Sequence, residues 1–462
     1  MNKSDSERIA AILDSVGFKS TPKENEADLI VVNACSVRQS AVDRIFGQAQ
    51  KFSGLKKKNP KFKTFLLGCV LPSDKIKFRK LFDFVIATEN ITEIPRLLGI
   101  CQKAPRESDY YFKIKPKHQS PFSAFVPIMT GCNNFCSYCA VPYTRGREIS
   151  RPAEDIVCEI KELIEHGYKE IWLLGQNVNS YKAISNMNKF LASESKYKKS
   201  TLRQSSGLML SKTEASNIIN FSTLLMRVDK IPGKFWIRFT SPHPKDFSDE
   251  LIETMAKSKK VAPYLNLPAQ SGDDEILKKM NRPYTVNHYK KLVIRIRNAF
   301  KKYREGVEKD IAISTDTIVG FPGESKKQFD NTIKLYKEIA FDMAYIAQYS
   351  PRPETAAAKF NDNVSKKEKT RRWKILTDIL RNTALENNKK YTGKIVEVLI
   401  DESRIMNQES RVFFGKTASN KTVKIHNSLS IIHNSNLIGK FVKVKVTEAL
   451  PWGLKGKLIN ER

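Results

Sequence analysis

The chain has 462 residues and a mass of 52.8 kDa, too long for one ordinary hydrophobic core, so we expect two to four domains. Lys and Arg total 80 against 49 Asp and Glu, and the net charge of +31 favours a nucleic-acid partner over the alternative, a solvated surface of biased composition. No apolar run is long enough to span a bilayer and the N-terminus is polar, which predicts a cytoplasmic protein with no membrane partner.

The first hundred residues alternate between helical and strand patterns. A helical pattern over 4–16 is followed by a short apolar strand over 29–32, a second helical stretch over 37–51 and a second strand over 65–67. Helices that separate short buried strands are typical of parallel sheets. We therefore predict an α/β domain with a parallel sheet over residues 1–101, followed by a polar, basic linker over 102–122.

The same rhythm of strand and helix continues through the middle of the chain. Helical patterns over 153–166 and 284–302 are examples of the segments that separate the predicted strands. The strands are predicted near 124–129, 171–174, 236–239, 264–267, 311–319 and 343–348. Six such units over 123–365 favour a (β/α)6 partial barrel over a doubly wound sheet. One stretch, about 182–220, is rich in Ser, Lys and Asn without a period, and we interpret it as a surface insertion.

The last hundred residues are basic and end in short strands. A basic amphipathic helix is predicted over 366–390, and residues 366–462 hold 21 Lys and Arg against 9 Asp and Glu. Short β-rich runs follow at 395–400, 412–414, 422–425 and 441–446. They predict a small β-barrel over 391–462. Its basic strands would meet phosphates, with solvated surface lysines as the alternative; the lysines are Lys416, Lys421, Lys424, Lys443 and Lys445.

Seven cysteines are too few and too unevenly placed for a disulfide scaffold, so the clustered ones indicate metal binding or catalysis. Cys132, Cys136 and Cys139 form C-x-x-x-C-x-x-C just past the first barrel strand, where α/β barrels place their active sites. Three thiolates so close can hold three irons of a [4Fe–4S] cluster and leave the fourth iron open. A structural zinc ion is the alternative, but such an ion is normally held by four protein ligands. Cys101 and Cys158 have no partner at metal spacing, and we interpret them as ordinary small apolar residues.

The loop Gly-Cys-Asn-Asn-Phe-Cys-Ser-Tyr-Cys over 131–139 resembles the cluster loop of radical S-adenosylmethionine (SAM) enzymes. The resemblance implies that the open iron binds the amino and carboxylate groups of SAM. One-electron cleavage of SAM would then give a 5′-deoxyadenosyl radical that abstracts hydrogen from an unactivated carbon. The barrel would orient the reactants and keep water out.

Further blocks narrow the resemblance to the methylthiotransferases. The segments similar to that family lie at 141–151, 174–181, 238–244, 267–272 and 316–324, at successive strand ends. The resemblance implies that five residues contact the cofactor or substrate: Gln176, Asn177, Ser241, Gln270 and Asp316. Ordinary loop and turn residues around a barrel are the alternative.

Cys35 and Cys69 each follow a predicted buried strand, so a parallel sheet would bring both thiols to one edge, the edge where open α/β sheets bind ligands. Two unrelated buried cysteines are the alternative. The segments 33–38 and 68–69 resemble two of the three auxiliary-cluster motifs of methylthiotransferases, which implies a second [4Fe–4S] cluster that carries or delivers the inserted sulfur. In the family a third cysteine comes first, just before a Met-Asn pair. Here Met1-Asn2 stands at that pair, so we expect either a start placed too late or an auxiliary cluster that is incomplete in this chain.

The resemblance covers nearly the whole chain outside the insertion and includes a C-terminal barrel similar to the RNA-binding TRAM module. It is strongest to the branch that acts on isopentenylated adenosine beside the tRNA anticodon. It implies a monomeric enzyme that uses two molecules of SAM, takes tRNA as partner and receives electrons from a donor such as flavodoxin or ferredoxin. The alternatives are the branch acting on threonylcarbamoyl-adenosine in tRNA and a non-catalytic RNA-binding iron–sulfur protein; the branch acting on a ribosomal protein matches less well.

Overall fold

The computed structural model describes residues 1–35, 39–100, 111–184, 218–407, 410–428 and 437–459. Across these ranges no helix combines the length and the apolar character needed to cross a membrane. The elements form an N-terminal sheet with helices, a six-stranded central barrel and a closed C-terminal barrel. This order confirms the predicted fold class.

The N-terminal unit is a three-stranded parallel sheet with β2 in the centre. Its elements are α1 (Asn2–Ser15), β1 (Leu29–Cys35), α2 (Gln39–Lys58), β2 (Lys63–Cys69), α3 (Pro72–Phe78), β3 (Phe84–Val85) and α4 (Ile94–Leu97). Side chains of a strand alternate between faces, so Leu66 packs in one core cluster while Phe65 and Leu67 pack in the cluster on the other face. A sheet covered on both faces explains why β2 reads as a continuous apolar run.

The central unit contains six parallel strands in two three-stranded sheets, ordered β4-β7-β10 and β11-β12-β13. A parallel bridge between Ile237 and Val261 joins the two sheets, so the strands follow one another in chain order, as a partial (β/α)6 barrel requires. From β4 to α7 the elements are β4 (Ser123–Pro127), β5 (Met129–Thr130), α5 (Val141–Arg145), β6 (Ile149–Ser150), α6 (Ala153–Glu165), β7 (Glu170–Leu174), β8 (Lys182–Ile184), β9 (Ile218–Asn220) and α7 (Phe221–Asp229). From β10 to β13 they are β10 (Trp236–Phe239), α8 (Asp249–Lys257), β11 (Tyr264–Asn266), α9 (Asp274–Lys279), α10 (Val286–Tyr303), β12 (Ala312–Val319), α11 (Lys326–Ile339) and β13 (Met343–Gln348).

The outer helices bury one apolar stripe each. In α6, Ile156, Ile160 and Leu163 recur at helical spacing and are buried against the strands. Helix α11 begins with a capping box in which Ser325 and Gln328 satisfy each other's backbone amides.

The predicted insertion at 182–220 begins and ends in two paired strands. Strand β8 pairs antiparallel with β9, with Lys182 opposite Asn220, so the insertion leaves and re-enters the barrel through a two-stranded stem. Residues 185–217 lie outside the described residues. The predicted linker at 102–122 is described from residue 111 onward, where Tyr111 is buried and donates a hydrogen bond to Asp5 of α1.

Helix α12 (Lys366–Lys389) leads into the closed barrel, whose strand order is β14-β15-β16-β18-β17. Its strands are β14 (Ile395–Asn407), β15 (Ser410–Thr417), β16 (Thr422–Ser428), β17 (Phe441–Leu450) and β18 (Gly453–Leu458). Four of the strands were expected from the sequence. The fifth, β18, was not, because its sequence Gly-Leu-Lys-Gly-Lys-Leu carries two glycines and no β-branched residue.

The C-terminal barrel docks at the amino ends of the central strands. Trp236, the first residue of β10, packs against Phe441 with ring centroids 4.8 Å apart. Lys421 forms an ion pair of 2.7 Å with Asp342, which precedes β13. The prediction that Lys421 meets phosphate is therefore wrong, because its ammonium group is buried in this interface. Exposed lysines do lie on β17 and β18: Lys443, Lys445 and Lys457 are exposed, and Lys445 lies opposite Lys457 in the register of the two strands.

Candidate functional site

The cysteine loop follows β5 at the carboxyl end of the first barrel strand. Its entry is built by Gly131, whose φ of +78° suits a residue without a side chain. The Cys132 amide donates to the carbonyl of Gly146 at 3.2 Å, and the Ser137 hydroxyl donates to the carbonyl of Lys279 at 2.8 Å. The loop is thus held from both sides, by the chain that follows it and by the helix α9 segment across the barrel mouth.

The three thiols of this loop are buried or half-buried. Cys132 and Cys136 are buried, and burial raises the pKa of the Cys132 thiol. Burial and the neighbouring Cys136 raise the pKa of Cys139 to about 12. The Arg282 guanidinium lies 3.6 Å from the Cys136 sulfur and supplies a positive charge to the loop. Buried thiols near one cation suit iron, which holds the sulfurs as thiolates and offsets the cost of burying their charge.

No single-ion metal site exists among the described residues, since no group of three or more His, Cys, Asp or Glu side chains is placed to hold one ion. Structural zinc, the alternative that the sequence left open, would need a fourth ligand beyond the three thiols of the cysteine loop. A [4Fe–4S] cluster differs from one ion because each thiolate binds a different iron.

The five predicted contact residues lie at or near the carboxyl ends of the barrel strands. Gln176 and Asn177 follow β7, Ser241 follows β10, Gln270 follows β11 and Asp316 lies within β12. Ser241 and Gln270 have φ of +61° and +65°, in the left-handed region that side chains rarely adopt. Strained backbone of this kind concentrates at functional sites. The Asp316 carboxylate accepts from Asn266 at 2.8 Å.

Three buried polar atoms at this end of the barrel have no hydrogen-bond partner within the described part of the chain: Gln176 Oε1, Asn177 Oδ1 and His243 Nε2. Unpartnered buried polar groups are rare because each one costs desolvation energy. All three are carried by loops that follow β7 and β10, so they could bind a polar ligand at the barrel mouth. A nucleoside-containing ligand such as SAM offers both donors and acceptors to such atoms.

His243 lies within the segment 238–244, but its own role in the site was not predicted from the sequence. Its Nδ1 accepts from the Lys245 amide at 3.2 Å, so the neutral ring carries its proton on the unpartnered Nε2. Burial, together with the charges of Arg282 and Lys245, lowers the pKa of His243 to about 2. The ring packs edge-on against Tyr284, with centroids 5.6 Å apart. The residue is therefore a fixed, uncharged hydrogen-bond donor.

A polar cavity of about 530 Å³ opens beside the cysteine loop. Asn133 and Asn134 of the loop line one side, and Asn177 and Asp246 line another, joined by a hydrogen bond of 2.8 Å. Burial raises the pKa of Glu148, which also faces this cavity. The cavity reaches β8, so the stem of the insertion borders the entrance to the barrel mouth.

Cys35 and Cys69 are direct register partners at the carboxyl ends of β1 and β2. Adjacent parallel strands lie about 4.8 Å apart, so the two thiols meet at one sheet edge, as the sequence predicted. Cys69 is buried, and its sulfur lies 3.0 Å from Nε of Arg145. Burial raises the pKa of Cys69, and Arg145 acts against that rise. Cys35 is exposed at the same edge.

Among the described residues one further cysteine, Cys158, joins neither group. Cys158 was interpreted as an ordinary small apolar residue without a metal partner, and the structure places it exposed on α6, facing Glu162. The apolar stripe of α6 falls on Ile156 and Ile160, which turns Cys158 to the outside. Cys101 lies outside the described residues.

Three family models match the chain in succession. Residues 1–87 match the uncharacterized protein family UPF0004, residues 126–336 match the radical SAM superfamily and residues 389–459 match the TRAM domain. The radical SAM match contains the cysteine loop and all five strand-end residues described above.

Curated relatives match over almost the full length. The tRNA-2-methylthio-N(6)-dimethylallyladenosine synthase of Carboxydothermus hydrogenoformans is 38% identical over 99% of this chain and 97% of its own length. The enzymes of the same name from Clostridium novyi and Bacillus cereus are 37% and 36% identical, covering 94% and 84% of those proteins. This chain belongs to the tRNA-2-methylthio-N(6)-dimethylallyladenosine synthase family. It is an enzyme of the radical SAM superfamily, whose members use a [4Fe–4S] cluster and SAM.

A solved radical SAM structure supports the fold assignment. The methyltransferase TsrM from Kitasatospora setae superposes with a TM-score of 0.51 at 12% identity, covering 77% of this chain and 73% of that chain. At this identity the likeness concerns the fold alone. In this family member the radical loop is intact at Cys132, Cys136 and Cys139, and the buried unpartnered atoms lie at the end of the barrel where that loop sits.

Proposed function

We propose that this chain replaces the hydrogen at C2 of N6-isopentenyladenosine, next to the anticodon of tRNA, with a methylthio group. The observation that carries the proposal is the extent of the match: 99% of the chain aligns with an enzyme of that name, and the radical loop is complete. The reaction exchanges a C–H bond for a C–S bond and places a methyl group on the sulfur. It consumes two molecules of SAM, one as methyl donor and one to remove the hydrogen.

Cys132, Cys136 and Cys139 would hold one [4Fe–4S] cluster, with SAM beside it in the barrel mouth. When bound, the cluster and SAM would provide the chemistry that abstracts a hydrogen atom from an unactivated carbon. The chain contributes orientation through the unpartnered atoms of Gln176, Asn177 and His243. Because these atoms are buried, hydrogen bonds between them and a ligand would be strong.

Cys35 and Cys69 would be two of the three cysteine ligands of an auxiliary [4Fe–4S] cluster that delivers the sulfur, and without the third the cluster is incomplete in this chain. Their register pairing supports this role, since both sulfurs meet at the edge of the sheet. The side chain of Arg145, six residues after Cys139, reaches Cys69 at 3.0 Å, so the two groups of cysteines lie on neighbouring elements. A sulfur held there would be close to the barrel mouth.

The C-terminal barrel would hold the RNA through its exposed basic face on β17 and β18. Lys443, Lys445 and Lys457 present their charges on adjacent strands, in a chain whose net charge is +31. Action as a cytoplasmic monomer, and an electron donor such as flavodoxin or ferredoxin, belong to the same proposal and stay predictions.

The test is product analysis on defined tRNA. The protein is reconstituted with iron and sulfide without oxygen, then given SAM, a reductant and isopentenylated tRNA, and the digested nucleosides are analysed by mass spectrometry. We expect a methylthio-isopentenyladenosine product and 5′-deoxyadenosine, both lost in Cys132→Ala. The matched control is Cys158→Ala, which removes an exposed thiol on α6 and should leave both products.

Other outcomes separate the alternatives. If a methylthio product forms only with threonylcarbamoylated tRNA, the chain belongs to the branch that acts on threonylcarbamoyl-adenosine. Formation of 5′-deoxyadenosine without any methylthio product would mean that the radical half works and sulfur insertion does not. Tight tRNA binding with neither product would favour a non-catalytic RNA-binding iron–sulfur protein and overturn the proposal.

A further inference from the structure

One buried side chain connects the radical loop with the sheet edge that carries Cys35 and Cys69. Arg145 is the last residue of α5, six residues after Cys139, and α5 packs on β2 of the N-terminal unit. The next residue, Gly146, accepts the hydrogen bond from the Cys132 amide at 3.2 Å. The backbone at Arg145 is therefore tied to the cysteine loop while its side chain leaves the barrel.

The guanidinium of Arg145 has three polar neighbours in the N-terminal unit. Nε donates to the Cys69 sulfur at 3.0 Å, and Nη2 donates to Asp5 Oδ2 at 2.6 Å and to Asn2 Oδ1 at 3.1 Å. The side chains of Arg145 and Asp5 are 3% and 0% exposed. A buried guanidinium is held here in one orientation by an ion pair, and that orientation points a separate N–H bond at sulfur.

The second oxygen of the Asp5 carboxylate is also occupied. Tyr111 donates its hydroxyl to Asp5 Oδ1, and Arg8 of the same helix packs over the Tyr111 ring at 4.9 Å. Asp5 thus serves to hold Arg145, since both of its oxygens are engaged away from the sulfur. If Arg145 were present only to neutralise Asp5, a contact between Nε and Cys69 would not be needed.

We propose that Arg145 is a positioning residue that donates a hydrogen bond to the sulfur of Cys69 and thereby sets the reduction potential of the auxiliary cluster. This inference rests on the proposed role of Cys69 as a ligand of that cluster. A hydrogen bond to a ligand sulfur withdraws electron density from it and favours the reduced cluster, so it raises the potential. Because the residue after Arg145, Gly146, is hydrogen-bonded to Cys132 of the radical loop, the same bond fixes the auxiliary site relative to the barrel mouth.

The test isolates the auxiliary cluster. In a background with Cys132→Ala, Cys136→Ala and Cys139→Ala, the full chain is reconstituted anaerobically with iron and sulfide, and its potential is followed by electron paramagnetic resonance. We expect Arg145→Gln to shift the potential to a more negative value, and Arg145→Lys to recover only part of the shift, because an ammonium cannot reproduce the fixed Nε donor. Asp5→Asn, which keeps the guanidinium beside Cys69, should move the potential less than Arg145→Gln.

A second pair of variants guards against misfolding. Arg145→Gln alone leaves the Asp5 charge buried without its partner, whereas Asp5→Asn with Arg145→Gln removes both charges. The comparison of Asp5→Asn with this double variant isolates the guanidinium, and the negative shift should appear there as well. An unchanged potential in the double variant, with iron content intact, overturns the inference and leaves the proposed function standing. If the triple cysteine variant used as background binds no iron, the proposed auxiliary cluster does not form, and the inference fails with it.

Discussion

The carbonyl oxygen of Arg147 occupies the space that a side chain would need at Gly131, the residue before the first cysteine of the radical loop. A methyl group added at Gly131 would overlap this carbonyl, and the φ of +78° disfavours any side chain by about 1–2 kcal/mol. We expect Gly131→Ala to open the loop, so that reconstituted protein retains about four fewer irons than the parent. An iron and sulfide assay on the purified protein measures this.

The control for backbone strain is Gly17→Ala. Gly17 has a φ of +91° but open space around it, so the substitution adds the same kind of strain away from the cysteines. It should bind iron like the parent. Normal iron content in Gly131→Ala would show that the contact with Arg147 does not shape the loop.

Ser241 offers a test that separates ligand binding from stability. Its φ of +61° costs about 1 kcal/mol relative to glycine, so Ser241→Gly should leave the melting temperature unchanged or higher. If the strain serves to aim the hydroxyl into the barrel mouth, the same variant should weaken SAM binding several-fold. Calorimetry on the reconstituted protein measures the affinity.

Asn420, which has a similar φ of +62° in the C-terminal barrel, supplies the comparison as Asn420→Gly. It should alter stability without affecting SAM binding. If Ser241→Gly and Asn420→Gly bind SAM with equal affinity, the Ser241 side chain does not contribute to SAM binding.

Much of the site could be predicted because it depends on chain order. A cysteine that directly follows a parallel strand must lie at the carboxyl edge of its sheet, so Cys35 and Cys69 could be placed together before their register was known. The same rule placed Cys132 and the strand-end residues such as Gln176 at one end of the barrel.

The rest of the site depends on contacts between side chains of different structural units. Neither the hydrophobic periodicity nor the spacing of residues along the sequence predicts such contacts. Arg145 reads as one more basic residue in a basic loop, yet it is buried against Cys69 and Asp5. Lys421 reads as an RNA contact but pairs with Asp342. His243 stands between two prolines in a block with no charge pattern, so only its burial and unpartnered Nε2 reveal a role.

The docking of the C-terminal barrel depends on one buried guanidinium. Arg238 of β10 pairs with Glu170 at 2.6 Å and donates to the carbonyls of Ala418 and Thr417 at 2.7 and 2.8 Å. Arg238→Met leaves a buried carboxylate and two carbonyls without their donor, which should cost about 3–5 kcal/mol. We expect denaturation at lower urea concentration and faster proteolysis between the two barrels.

The double variant Arg238→Met with Glu170→Met removes both charges and should recover part of the lost stability. Recovery would identify the unpaired Glu170 charge as the main penalty. If Arg238→Met alone unfolds like the parent, the guanidinium does not hold the interface.

His243 makes stability depend on pH in the acid range. Its folded pKa is about 2 against an ordinary value of 6.5, so below pH 6.5 the unfolded chain takes up a proton that the folded chain refuses. The folded state is therefore favoured fully above pH 6.5 and loses about 2 kcal/mol from this group by pH 5. We expect His243→Asn, which cannot be protonated, to show a smaller fall in melting temperature between pH 7 and pH 5 than the parent.

The exposed His166 at the end of α6 supplies the matched control, because His166→Asn removes an imidazole that is in contact with water. This variant should keep the parent's dependence on pH. A His243→Asn protein that loses as much stability as the parent on acidification would mean that the ring accepts a proton in the folded state. The His243 imidazole would then be a cation at the barrel mouth at low pH, and the assignment of Nε2 as a fixed neutral donor would be wrong.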